Sequence, residues 1–188
     1  MKRLSISLLF AFIASIYTNS AIAAVDWSRL KNTARHDSRR HTLDFSLLFG
    51  YLFGSYKHLG VASWYGLPIL PDGLIDEVND ALFLEAGGAF EYFNFTFAAC
   101  DEKWWRITPM AGVRYQFYLT HDWSAFATTK VGWGIGFNHK ADCGLTKASV
   151  SNFAWDASIG AYWHFSENWH MRLEFGAYSL SPGIGFQL

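Results

Sequence analysis

Apolar residues alternate with polar or small residues along most of the chain, and the longest such stretch runs from Trp104 to Phe137. Two alternating segments meet there at the polar turn 120–123. A period of two over this length is typical of extended strands with two chemically different faces. An ordinary strand has about five or six residues, whereas a tilted strand needs about 9–11 residues to cross the hydrocarbon core of a bilayer. The pattern therefore predicts a membrane-spanning hairpin. The residues expected to touch lipid near mid-membrane are Ala111, Val113, Val131 and Ile135.

The same alternation predicts an all-β fold, an eight-stranded antiparallel transmembrane β-barrel over residues 42–188. The predicted strands cover 42–53, 58–67, 81–97, 104–119, 123–138, 150–165, 170–175 and 183–188. Turn-forming residues indicate loops at 68–79, 100–102, 138–149 and 178–182. The alternation loses phase near Asn94, which indicates a bulge or the membrane boundary. Pro109 has no N–H for the ladder, which predicts a local bulge or one missing ladder bond.

Residues 1–23 have the pattern of a secretory signal peptide, with Lys2 and Arg3 before an apolar run that ends at Ala21-Ile22-Ala23. Residues 24–41 follow as a periplasmic leader, either a disordered segment or a short amphipathic helix at the lipid surface. After position 23 the sequence has no apolar run of the roughly 18 residues that a transmembrane helix requires.

Composition changes the picture in one respect, because 51% of the residues are hydrophobic and 19% are aromatic. So many apolar rings suit a surface whose solvent is lipid. The formal net charge of −1 gives no electrostatic reason to expect nucleic acid as a partner. We therefore expect a monomer in the bacterial outer membrane, with the lipids of that membrane as its surroundings.

The C-terminal strand carries Ile184, Phe186 and Leu188 on one face, and the turn 166–169 repeats the character of the turn 120–123. In these features and in its alternating strands the chain resembles the small outer-membrane barrels of the OmpA/OmpX type. The resemblance implies that the last strand is the signal read by the barrel-assembly machinery. Such strands normally end on an aromatic residue, and this chain ends on Leu188.

Charged residues concentrate on the polar faces of the predicted strands, which face the lumen. The predicted lumen charge network contains Asp44, Glu85, Glu91, Arg106, Arg114, Lys130, Asp156, Arg172 and Glu174. Hairpin geometry places Glu85 near Arg114. These residues are either a catalytic carboxylate set or ion path, or compensating ion pairs that fill a narrow barrel. The occurrence of both signs at matching depths favours the ion pairs.

Other candidate chemistry is weaker. His164, Ser166 and Glu174 are the nearest approach to a hydrolytic triad, but Ser166 falls in a predicted periplasmic turn. His139, Asp142 and Cys143 could collect a metal in one loop, although a disulfide competes for the cysteine. No catalytic residue, metal site or cofactor is therefore predicted.

The two cysteines, Cys100 and Cys143, lie in loops that parity assigns to one side of the membrane. An even number of strands puts both termini on the periplasmic side, together with the turns 120–123 and 166–169. Both cysteine loops are then external. In an exported chain this arrangement predicts a Cys100–Cys143 disulfide.

These observations favour an integral outer-membrane barrel without enzymatic activity, with a lumen filled by side chains and a structural or surface-interaction role. Two alternatives stay open: an outer-leaflet enzyme that modifies lipid A, and a narrow conduit for small apolar molecules.

Overall fold

A computed structural model describes residues 40–50, 56–75, 77–97, 100–141 and 152–188. The predicted signal peptide, the leader up to residue 39, and Cys143 lie outside the described residues. Within the described ranges, no helix is long and apolar enough to cross a membrane.

Eight strands form one closed antiparallel barrel in chain order. They are β1 Thr42–Gly50, β2 Tyr56–Leu70, β3 Asp80–Phe97, β4 Cys100–Tyr118, β5 Trp123–Ala141, β6 Asn152–His164, β7 Trp169–Gly176 and β8 Ser179–Gln187. The first and last strands close the barrel, with Thr42 opposite Gln187. The start of β1, the end of β8 and the connections 71–79, 119–122 and 165–168 share one end, here called the terminal end. The opposite end is called the distal end.

The exterior of the barrel is apolar and the interior is polar, as the alternation predicts. Val131 is 52% exposed and Lys130, the preceding residue, is 2% exposed. Ala111, Val113 and Ile135 also face outward. An apolar exterior on a closed antiparallel barrel is the architecture of bacterial outer-membrane proteins. The predictions of a transmembrane β-barrel of the OmpA/OmpX type and of an outer-membrane location are therefore confirmed.

Aromatic side chains border the apolar exterior at two levels. Toward the terminal end, the rings of Trp123 and Trp163 stack with centroids 6.0 Å apart. Toward the distal end, Trp105 stacks on Phe90 with centroids 5.0 Å apart. Two such belts match the aromatic girdles with which barrels meet the membrane interfaces.

Several predicted loops belong wholly or partly to strands. The loop 100–102 belongs to β4, and most of the turn 178–182 belongs to β8. β2 runs on to Leu70, into the predicted loop 68–79, and β5 runs on to Ala141, into the predicted loop 138–149.

One of the two alternatives predicted near Asn94, a bulge, is wrong. The register of β3 with β4 runs without a shift from Asp80–Phe117 to Phe97–Cys100. The other alternative, a membrane boundary at this position, stays a prediction.

Pro109 is paired on one side only. It lies opposite Gly88 in an unbroken register with β3. On the β5 side the pairs stop at Ile107–Ile135 and resume at Met110–Gly132 in the same register. The predicted interruption of the ladder is therefore confirmed, and it occurs without a bulge because no residue is added to either strand.

The connection 71–79 is longer than the other two described connections at the terminal end. Asp80 holds it in place by accepting a hydrogen bond from the Leu74 N–H at 2.9 Å and another from the Tyr115 hydroxyl. Gly73 has φ +71°, a left-handed conformation in which glycine avoids the steric cost of a side chain. The terminal end thus carries one long connection beside two short ones. Loop length alone therefore does not distinguish the two ends of this barrel.

We predict that Val131→Arg lowers the free energy of unfolding by about 2–4 kcal/mol, because it places a charge on the lipid face near mid-membrane. The matched control is Phe165→Arg in the turn 165–168, where the cost should fall to about 0–1 kcal/mol near the interface. Urea titration in lipid vesicles measures both. Equal costs at the two positions would show that Val131 does not lie in the apolar band.

Candidate functional site in the barrel lumen

The polar lumen follows from the pleat of each strand. Even-numbered residues of β1, β4, β5 and β7 and odd-numbered residues of β3 are the buried ones, because successive side chains in a strand point to opposite faces. Polar residues occupy these inward positions, and charges from strands far apart in sequence therefore meet in the lumen.

Two buried arginines occupy the middle of the lumen. Arg114 is 0% exposed and Arg172 is 1% exposed. Each donates from Nη1 to the same oxygen of Glu85, and both distances are 2.8 Å. Both guanidinium groups also donate to the Tyr162 hydroxyl. Like charges this close are stable only because carboxylates and aromatic faces surround them.

Two further carboxylates complete this group. Asp44 accepts from Arg172 Nη1 at 3.0 Å and from the Tyr162 hydroxyl at 3.2 Å. Its other oxygen lies 2.6 Å from His170 Nε2. Glu174 accepts from Arg172 Nη2 at 2.7 Å and from Lys130 Nζ at 2.6 Å. Six groups thus form the buried charge network, three carboxylates matched by three cations: Asp44, Glu85, Glu174, Arg114, Lys130 and Arg172.

Glu91 belongs to a separate group nearer the distal end, here called the distal ion cluster. It accepts from Arg106 Nε at 3.0 Å and from the Thr108 hydroxyl at 2.8 Å. Its other oxygen lies 2.8 Å from His58 Nε2. Arg106 is partly exposed, whereas the arginines of the buried charge network are not.

A cavity of about 410 Å³ lies distal to the buried charge network and is here called the outer cavity. Lys130, Glu174 and the distal ion cluster line part of it. An apolar group lines another part, and this apolar wall consists of Leu48, Trp64, Ala89 and Met110. The lumen is therefore filled over only part of its length.

The terminal end is packed closely. A pocket there has a volume of only about 10 Å³ and is lined by Phe83, Gln116 and Tyr118, among others. That volume is about the least that holds one water molecule. Gln116 donates to the Ser124 hydroxyl at 2.8 Å, so polar groups at this end are joined to one another.

The structure brings six of the nine predicted network residues into the buried charge network. Glu91 and Arg106 belong instead to the distal ion cluster. Asp156 lies at the edge of β6 and accepts from the Ala177 N–H at 3.3 Å. The sequence prediction omitted His58, Tyr162 and His170, which face the lumen among the charges. The alternation of each strand places these three residues on its polar face, and this position could have identified them as lumen residues.

The other candidate groups are not assembled among the described residues. Ser166 is exposed and accepts from the Trp169 N–H at 3.0 Å, while Glu174 is engaged by Lys130. His164 lies 3.4 Å from Ser124 Oγ instead. Of the three residues weighed as metal ligands, Asp142 and Cys143 lie outside the described residues, as does the side chain of His139. In the part of the chain that is described, no group of three or more possible ligands could hold a metal.

No family profile and no curated protein matches the chain. Among solved structures, a de novo designed transmembrane β-barrel is similar with 15% identity and a TM-score of 0.48, covering 78% of this chain and 95% of that one. Ail, the attachment invasion locus protein of Yersinia pestis, in complex with the heparin analogue sucrose octasulfate, has 12% identity and a TM-score of 0.47, covering 79% and 97%. The backbone structure of Ail in a phospholipid bilayer nanodisc has 10% identity and a TM-score of 0.42, covering 79% and 99%. At these identities the likeness concerns the fold alone.

We predict that Arg172→Met lowers the free energy of unfolding by about 3–5 kcal/mol, because it leaves buried carboxylates without their shared cation. Arg106→Met is the matched control, since the Arg106 side chain is partly exposed and water can compensate for its loss. Urea titration followed by heat-modifiable gel mobility compares the two variants. A cost for Arg172→Met no larger than that for Arg106→Met would contradict the prediction.

Proposed function

We propose that the chain is a non-conducting integral outer-membrane barrel with a structural or surface-interaction role at its distal, external end. The observation that supports this proposal is the full burial of Arg114 and Arg172 between Asp44, Glu85 and Glu174. Eight strands leave an interior that side chains can fill, and here paired charges occupy the middle of it. A continuous path for ions or small apolar molecules would require these pairs to separate, which is costly in a buried site.

The proposal includes the predicted organisation of the chain. Residues 1–23 are removed as a signal peptide, and residues 24–41 remain as a periplasmic leader. The β8 strand serves as the signal for the barrel-assembly machinery, and the mature protein is a monomer among outer-membrane lipids. The terminal end is then periplasmic, and the distal ion cluster and the outer cavity lie toward the cell surface.

A conductance measurement tests the sealed lumen. We predict that the purified protein gives no stepwise ion current in planar bilayers, because the buried charge network closes the lumen. Replacing one cation and one carboxylate of that network together, in Arg172→Ala with Glu85→Ala, should introduce a leak. The same pair of changes in the distal ion cluster, Arg106→Ala with Glu91→Ala, should not. Stepwise current through the unmodified protein would refute the proposal.

A disulfide between Cys100 and Cys143 is part of the same proposal. The last pairs of β4 with β5 are Lys103–Lys140 and Glu102–Ala141. The predicted cysteine loops adjoin neighbouring strands at the same end of the barrel, so the Cα separation of about 4.4–6.8 Å that a disulfide requires is attainable.

We predict that peptide mass spectrometry without reduction finds Cys100 and Cys143 linked in protein isolated from the outer membrane. Cys143→Ser should then lower the free energy of unfolding by about 2–4 kcal/mol, and by less if barrel pairing already holds the two positions together. Reduced wild-type protein is the control and should behave like the variant. Two alkylatable thiols in freshly isolated protein would contradict the pairing.

An outer-leaflet enzyme that modifies lipid A is the second candidate, and one contact favours it. His58 and Glu91 lie 2.8 Å apart and both line the outer cavity. A histidine held by a carboxylate is the arrangement of a general base. Lipid A mass spectra of cells carrying the wild type or His58→Gln test this candidate. A modification present only with the wild type would favour it over a non-enzymatic role.

A further inference from the structure

The distal part of β6 has a free edge. β6 pairs with β7 from His164–His170 up to Ser158–Gly176, and Ala177 N donates to Ala157 O at 3.0 Å. Beyond this point β6 continues from Asp156 to Asn152 and pairs only with β5 on its other side. In the described parts of β7 and β8, no residue pairs with this segment of β6. The cause is that β7 ends at Gly176, where the chain turns into β8.

This free edge lies at the depth of the lipid. Phe153 is 59% exposed and Trp155 is 49% exposed, and both continue the outward apolar row of β6. Across the gap, the ring of Trp155 meets that of Tyr178 with centroids 5.4 Å apart. Two large apolar side chains facing outward beyond the end of β7 place the gap within or at the border of the apolar band.

The outer cavity is bordered by the free edge. All five residues from Asn152 to Asp156 line it. Phe153 and Trp155 point outward from the same strand, and consecutive residues of a strand lie on opposite faces of a barrel wall. Among the described residues, the wall between the cavity and the lipid along this segment therefore consists of the edge of β6 and the contact between the Trp155 and Tyr178 rings.

The lining of the cavity indicates which ligand suits it. The carboxylates at the cavity have partners within the protein. Glu91 is held by Arg106 and Thr108, and Glu174 by Lys130 and Arg172. Asp156 accepts from the Ala177 N–H at 3.3 Å. A charged ligand would have to displace these pairs. The apolar wall of Leu48, Trp64, Ala89 and Met110 instead presents a surface that gains stability when an apolar group covers it.

We propose that the outer cavity binds one acyl chain of a membrane lipid, which enters sideways between the free edge of β6 and Tyr178. The volume of about 410 Å³ falls within the roughly 300–1,000 Å³ of ligand sites. No described residue of β7 or β8 pairs with the edge of β6 at residues 152–156, and backbone groups without partners are tolerated at membrane depth only beside protein or a polar cavity. The site does not require the chain to be an enzyme. In the orientation proposed above, the lipid belongs to the outer leaflet.

Photo-crosslinking from within the membrane tests this site. The protein is placed in phospholipid vesicles that contain a phospholipid with a diazirine near the end of one acyl chain. After irradiation, the modified residues are located by fragmentation mass spectrometry. We expect adducts on the lumen-facing Glu91, in addition to adducts on outward residues such as Val131. Adducts confined to outward residues would overturn the proposal.

Two matched variants test the route. Ala154→Trp adds bulk on the lumen side of the free edge, and Ala157→Trp adds the same bulk on the lipid side of β6. We expect loss of the Glu91 adduct in Ala154→Trp alone, with outward adducts unchanged in both. Asn152→Trp replaces Ala154→Trp if the latter lacks heat-modifiable mobility. A Glu91 adduct that persists with Ala154→Trp would overturn the sideways route. A second result would also overturn the sideways route. In that result, a diazirine fatty acid added from water labels Glu91 in the wild type and in both variants, whereas the diazirine phospholipid labels Glu91 in none of them.

Discussion

The structure depends on one shared contact, in which Arg114 and Arg172 both donate to Glu85 at 2.8 Å in the middle of the lumen. Burying two guanidinium groups is costly, and the cost is offset only where carboxylates and aromatic faces surround both. Five strands meet this requirement together, because each contributes one side chain to the group. The strands are β1, β3, β4, β6 and β7, and their side chains are Asp44, Glu85, Arg114, Tyr162 and Arg172 respectively. The same group forms a closed layer, so that the space on the distal side becomes a cavity with a floor.

The alternation predicts which residues enter this layer, but it does not predict which of them meet. Glu85 and Arg114 belong to one hairpin, and the sequence places them together, as the structure does. Arg172 reaches Glu85 across the barrel, and this contact depends on the stagger of all eight strands, which a period of two does not contain. A network predicted from formal charge does not contain His170 and Tyr162, although both lie at inward positions.

Proline explains why some strand boundaries were wrong. A proline in a strand with neighbours on both sides has no free edge where the missing N–H can be hidden, and this barrel accommodates such prolines in two ways. At Pro109 and Pro182 the ladder skips residues on one side and keeps its register. At Pro68 the register shifts before Leu70. Pro182 predicts a turn because the sequence alone does not separate a tolerated interruption from the end of a strand.

The short β7 has a consequence for the surrounding bilayer. β7 has 8 residues, whereas β4 and β5 have 19 each, so the apolar height of the barrel differs around its circumference. A bilayer of even thickness matches only one of these heights, and the mismatch is relieved by tilt of the barrel or by local thinning. Lipid packing should therefore be disturbed most on the side of β7. Thinned bilayer on one side would also give the barrel a preferred orientation about the membrane normal relative to neighbouring membrane proteins.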